Sequence, residues 1–151
     1  MYFQPQIDDD FWGQCPAEYL RCLVDQQLHE GMKTSVFVLG DPNDRNSTGV
    51  TVFHMPPGES LPRHSHGCAR FETIIQGTMN AEGRWLGAGD VMHSEADVPY
   101  GPHTAGPDGY TVVEVFENLT GMTQLTFHTS RGPVFVDIVA EWEKQKSSGG
   151  A

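Results

Sequence analysis

His64 and His66, one serine apart, are the residues whose type and spacing most directly suggest chemistry. In a strand, side chains at i and i+2 point to one face, so the two imidazoles can converge on a single point. Neutral imidazole is a common ligand of first-row metals. Glu72 and His103 are the candidates to complete a ligand set. Three histidines, with or without a carboxylate, leave positions open for substrate. Zn²⁺, Fe²⁺, Mn²⁺, Ni²⁺ and Cu²⁺ all suit such a set. Cys68, two residues past His66, is a further candidate to approach the ion.

Two more residues are candidates for catalysis. His93 follows Asp90-Val91-Met92 and, if it lines a cavity, can serve as acid or base. Arg70 lies two residues before Glu72, on the same strand face. An inward guanidinium needs a partner, because an unpaired buried charge is costly. Glu72, Glu114 or an anionic substrate group would supply one, whereas an outward Arg70 would simply be solvated. Of the other histidines, His54 shares a face with Val50 and Val52, which favours the interior, and His29 is expected at a helix end. Phe53, Phe71, Trp85, Tyr100, Phe116 and Phe127 are candidates for an aromatic lining.

These residues need a scaffold, and the chain describes one. Its 151 residues suit one domain. A net charge of −11 argues against a nucleic-acid backbone or an anionic lipid surface as partner. No apolar run approaches the roughly 18 residues of a membrane span, and the N-terminus lacks the pattern of a signal peptide. Three cysteines without a regular framework suggest reduced thiols and a cytoplasmic location.

Residues 1–34 are expected to form a polar, aromatic arm and one amphipathic helix over Pro16–His29. Its apolar positions Tyr19, Leu20, Leu23, Val24 and Leu28 recur at helical spacing. From Ser35 to Ala140 the pattern becomes short apolar runs broken by Gly and Pro, which predicts an all-β barrel or sandwich. The predicted strands are 35–39, 49–55, 70–76, 78–81, 84–86, 90–93, 110–117, 124–129 and 134–139. The tail, 141–151, is expected to hold a short helix and then disorder from Ser147.

On its motifs the chain resembles the cupin superfamily. The first cupin motif, a glycine, then His-x-His, a glutamate and a closing glycine, is matched by Gly58, His64, His66 and Gly77. The second is approached by Gly89-Asp90 and by Pro99-Tyr100-Gly101-Pro102-His103. The likeness covers about residues 49–118. It departs where Arg70 stands in the glutamate's place, where the gap from Gly89 to Pro99 is long, where one residue fewer precedes His103, and where Pro107 replaces an asparagine.

The resemblance implies a jelly-roll barrel of the double-stranded β-helix type, with a divalent transition metal at its mouth and His103 as third ligand. The small three-histidine diketone and hydroxyketone dioxygenases of that superfamily are similar in size and layout. They imply a non-haem Fe²⁺ dioxygenase acting with O₂ on a small oxygenated substrate, and a homodimer. A redox-neutral isomerase, lyase or cyclase using His93 as base stays open, as does a non-enzymatic small-molecule binder.

Overall fold

From Lys33 onward the chain folds into ten strands separated by turns. The computed structural model describes residues 1–149. The strands are β1 (Lys33–Leu39), β2 (Thr48–Met55), β3 (Ser60–Leu61), β4 (His64–His66), β5 (Arg70–Ala81), β6 (Arg84–Gly87), β7 (Val91–Ser94), β8 (His103–Phe116), β9 (Gln124–Thr129) and β10 (Gly132–Asp137). One antiparallel sheet runs β1-β2-β8-β5-β6, with β3 added on β8 and β7 on β5; the second runs β10-β9-β4. The two sheets face each other as a jelly-roll barrel, as the turn-punctuated pattern predicts.

Register decides what points inward. Across β2, β8 and β5, Gly49, Phe116 and Arg70 lie in one row; Thr51, Glu114 and Glu72 lie in the next; Phe53, Val112 and Ile74 follow. Pairing places side chains of a row on one face, so a polar row is buried between two largely apolar ones. The opposite face of β2 carries Val50, Val52 and His54. His54 therefore shares the face of Val50 and Val52 as expected, but that face looks away from the cavity. Its Nδ1 meets Thr111 Oγ1 at 2.9 Å. Phe71 and Trp85 are likewise outward, 45% and 58% exposed, and do not line the interior.

The pairing of β5 with β8 shifts register at Ile74/Gln76 and again at Gly77/Met79. Gly77 has φ +77°, and a Cβ there would stand 2.0 Å from the carbonyl oxygen of Gly109. Only glycine allows this conformation together with so close an approach.

The termini differ from expectation. The helix predicted over Pro16–His29 is a 3₁₀ turn, Glu18–Leu20, followed by α1 (Arg21–Asp25). Leu20 and Val24 are buried beside Phe116, Leu119 and Met122, and Cys22 is buried as well. Beyond Asp25 the chain turns extended, so that Leu28 reaches the cavity mouth and His29 bonds the Ser60 carbonyl at 2.8 Å and Glu59 at 3.0 Å. Helical continuation would forfeit those contacts. A short helix α2 (Leu119–Thr123) is capped by Asn118, whose side chain accepts from Gly121 N–H. The C-terminal helix α3 (Ile138–Gly149) is longer than predicted and includes Ser147–Gly149. Asp137 accepts from Ala140 N–H at its start, and Gln145 and Lys146 bond Gln26 and Glu18. Those tethers order a segment whose composition reads as frayed. Residues 150 and 151 of the expected disordered tail lie outside the described residues.

Candidate metal centre and its cavity

β4 is three residues long and carries both histidines of the pair. It is fixed from two sides, by pairing to β9 and by a bridge in which His64 and Tyr100 exchange two backbone hydrogen bonds of 3.0 and 2.9 Å. His64, Ser65 and His66 are all buried.

The tautomers follow from the partners. His64 Nδ1 lies 2.7 Å from the Pro62 carbonyl oxygen, and His66 Nδ1 lies 3.1 Å from that of Met122. A carbonyl only accepts, so both Nδ1 atoms carry the proton. Each ring therefore has an unprotonated Nε2, the atom a metal needs, oriented by the backbone as ligating histidines commonly are. Burial keeps the rings neutral: it lowers the His64 pKa and takes that of His66 down to about 4. His103 opens β8 beside Leu61 and Ala81 and is buried. Burial, with the Arg70 charge, takes its pKa to about 4 as well.

His64, His66 and His103 line one cavity of about 150 Å³. Phe53, Phe116, Met122, Leu125, Phe127 and Ile138 supply much of its wall. Thr34, Thr51, Glu72, Tyr100 and Glu114 also border it, so the wall is mostly but not wholly apolar. Phe53, Tyr100, Phe116 and Phe127 thus line it as expected.

Arg70 points inward and is 2% exposed. Its Nη1 serves both Glu72 and Glu114, the latter at 2.8 Å, and Thr51 Oγ1 donates to Glu114 at 3.0 Å. The guanidinium also lies over the Tyr100 ring, 3.9 Å from its centroid. Burial drives the Glu72 pKa up to about 8 despite Arg70. For Glu114 burial acts in the same direction, but Arg70, His66 and the Thr51 hydroxyl outweigh it and hold the carboxyl below its usual range. The cluster thus balances one cation with one ionised carboxylate. An anionic substrate group is not needed to pair Arg70.

The donor chemistry of His64 and His66 fits a divalent first-row metal in tautomer, orientation and protonation. The full constellation is not closed: among the described residues, no three His, Cys, Asp or Glu side chains stand together as a ready ligand group. Two reasons are visible. Glu72 is engaged by Arg70, with its Oε1 buried and unpartnered. The Tyr100 hydroxyl bonds His64 Nε2 at 3.0 Å. Sequence reasoning placed Tyr100 only among lining aromatics. Its position three residues before His103, in the Pro-Tyr-Gly-Pro turn, was the signal available.

Other candidates lie elsewhere. His93 pairs in register with outward Phe71; its side chain is 56% exposed and faces Glu95. It borders an outer groove lined also by Glu82, Arg84 and Asp90, and not the cavity. Tyr100 and His103 are shared between groove and cavity. Cys68 is buried against Gly121, bonds the Asn118 carbonyl through Sγ, and does not reach the cavity.

No family model and no curated protein sequence matches the chain. Solved structures do. An RmlC-like cupin protein from Ralstonia eutropha is similar at TM-score 0.56 and 14% identity, over 80% of this chain and 76% of that one. An acetylacetone dioxygenase from Acinetobacter johnsonii is similar at TM-score 0.57 and 16% identity, over 98% and 91%. A putative acetylacetone dioxygenase from Methylibium petroleiphilum is similar at 0.53 and 18%, over 100% and 94%.

Proposed function

The chain is a cupin by fold, and from that premise we propose that it is a metal-dependent enzyme, a non-haem Fe²⁺ dioxygenase of a small, uncharged, oxygenated substrate such as a diketone or hydroxyketone. The observation that carries the reading is the pair of backbone-anchored histidines, His64 and His66, that line one small, mostly apolar cavity. His64, His66 and His103 would hold the metal. Bound there, iron supplies Lewis acidity toward an enolisable substrate and one-electron chemistry with dioxygen.

The residues of the chain do the rest. Phe53, Phe116, Leu125 and Phe127 exclude water and set a size limit. Glu72 and Glu114 border the cavity and both engage Arg70, which disfavours a carboxylate-bearing substrate. Full-length similarity to acetylacetone dioxygenases supports the reading at the level of shape. Outward His93 does not line this cavity, which weighs against its use as the base of a redox-neutral isomerase, lyase or cyclase.

The test is oxygen uptake. Protein reconstituted with Fe²⁺ is expected to consume O₂ on addition of small diketones or hydroxyketones and to ignore their carboxylate analogues. Turnover by a Zn²⁺ form without O₂ would reject the oxygenase.

A further inference from the structure

Among the described residues that line the cavity, Leu28 and Pro62 are the two that are exposed, Leu28 to 60%, so the mouth lies between them. The two lips of that mouth are built differently. Pro62 joins β3 to β4, and both strands are paired, to β8 and β9. Leu28 belongs to residues 26–32, the strap that links α1 to β1.

The strap is loosely fastened. Among the described residues, 27–31 exchange no backbone hydrogen bond with another element. Their one polar tie to the barrel is the His29 side chain. Its Nε2 faces the Ser60 carbonyl oxygen at 2.8 Å, and its Nδ1 faces a Glu59 carboxyl oxygen at 3.0 Å. A carbonyl only accepts, so Nε2 carries a proton. Both ring nitrogens are thus spent on two adjacent residues, immediately before Leu61 and Pro62 on the opposite lip. Because His29 follows Leu28 directly, this tie also fixes where Leu28 sits.

Each end of the strap can turn. Helix α1 stops at Gln26, whose φ of −95° and ψ of 104° are extended. Gly31 has φ +86°, which glycine adopts at little cost. Backbone dihedrals at such positions absorb the motion of a closing loop, and an exposed segment with few backbone hydrogen bonds opens at low free energy. The rest of the rim is held: α1 is anchored by buried Leu20 and Val24, and Phe127 lies in β9 between β10 and β4.

We propose that residues 26–32 are the gate through which substrate reaches the cavity, with Leu28 the side chain that limits its size and His29 the latch. The inference rests on the reading of this cavity as the active site. Release of His29 from Glu59 and Ser60 frees the strap, and rotation at Gln26 and Gly31 carries Leu28 away from Pro62. No covalent bond is made or broken.

Passage through the mouth can be timed without metal or substrate. Leu125 lines the cavity and is buried, so Leu125→Cys places a thiol behind the gate. Labelling of that thiol in metal-free protein is followed with methyl methanethiosulfonate and with the bulkier N-phenylmaleimide. Peptide mass spectrometry separates it from Cys15, Cys22 and Cys68. The measurement is repeated with Leu28→Ala, Leu28→Trp or His29→Ala added, and circular dichroism and urea midpoints check folding. His29→Ala removes two hydrogen bonds and is expected to speed labelling at least about tenfold with both reagents. Leu28→Ala should speed the bulky reagent more than the small one, and Leu28→Trp should slow the bulky one more. Rates that ignore residues 28 and 29, or that follow global stability alike for both reagents, would overturn the gate. Oxygen uptake is a separate outcome: no uptake by a protein whose labelling obeys residue 28 would reject the dioxygenase and leave the gate standing.

Discussion

Glu72 and Glu114 sit directly opposite each other on β5 and β8 and share one nitrogen of Arg70. Like charges in a cross-strand pair repel, and a buried pair survives only with a cation or a proton between its members. Here both operate: Arg70 bridges the two, and Glu72 is pushed toward its neutral form. Removing the cation alone should be severe. Arg70→Met is expected to destabilise the fold by about 3–5 kcal/mol, because it strands the Glu114 carboxylate, beside the Glu72 carboxyl, without a cation in a buried site. Arg70→Met with Glu72→Gln and Glu114→Gln should recover most of that loss. Urea midpoints of the two variants measure the difference, and equal midpoints would show that the charge cluster is not what holds this row together.

The same engagement of Glu72 bears on the metal. Glu72→Gln is expected to leave metal stoichiometry and coordination spectrum unchanged, whereas His64→Ala should abolish metal retention. Elemental analysis after dialysis distinguishes them. A tenfold or greater loss of affinity in Glu72→Gln would instead assign the carboxylate as a ligand.

Much of this arrangement was legible in the chain. Period-two alternation put Arg70 and Glu72 on one face, and the requirement that an inward Arg70 find a partner named Glu72 and Glu114 beside an anionic substrate group. Alternation cannot say which face is the inside: Val50, Val52 and His54 share a face, but the barrel closes on the Thr51–Phe53 side. His93 lies on the outward face of its strand, which alternation likewise could not decide. Tyr100 lies in a turn, where no periodicity constrains the side chain, and its bond to His64 depends on a bridge between segments more than 30 residues apart. The termini were misjudged because tertiary tethers, Leu28 at the cavity mouth and Lys146 on Glu18, override local propensity.

Gly77, the closing glycine of the first motif, has a mechanical role. It lets β5 shift register against β8 with the Gly109 carbonyl packed where a side chain would be. Gly77→Ala adds a left-handed penalty of about 1–3 kcal/mol to a clash with backbone that cannot rotate away. The expected result is a loss larger than that penalty alone in thermal or urea unfolding. Gly83, also at positive φ but with nothing within 4 Å of an added Cβ, is the control. Gly83→Ala should cost the conformational term only, and equal losses at both sites would remove the packing argument.

The buried titratable groups predict an optimum in the stability of the metal-free protein. His66 and His103 have folded pKa values near 4 against 6.5 for an unperturbed histidine. Below pH 6.5 the unfolded chain binds protons that the folded one refuses, so their contribution is full above 6.5 and drains away as pH falls toward 4. His64 adds in the same direction. Glu72 works oppositely: with a folded value near 8 against 4.5, it favours the folded state fully below 4.5 and loses that contribution as pH rises to 8. Between about pH 4.5 and 6.5 at least two histidine protons oppose one on Glu72, so stability rises with pH. Above 6.5 only Glu72 remains in play, and stability falls by up to about 1.4 kcal/mol per pH unit. The metal-free protein should therefore be most stable near pH 6.5. Glu72→Gln should abolish the alkaline decline and keep the acid one, while His66→Gln should make the acid limb shallower. Urea midpoints between pH 4.5 and 8 read both limbs, and an alkaline decline that survives Glu72→Gln would show that Glu72 is ionised in the folded protein.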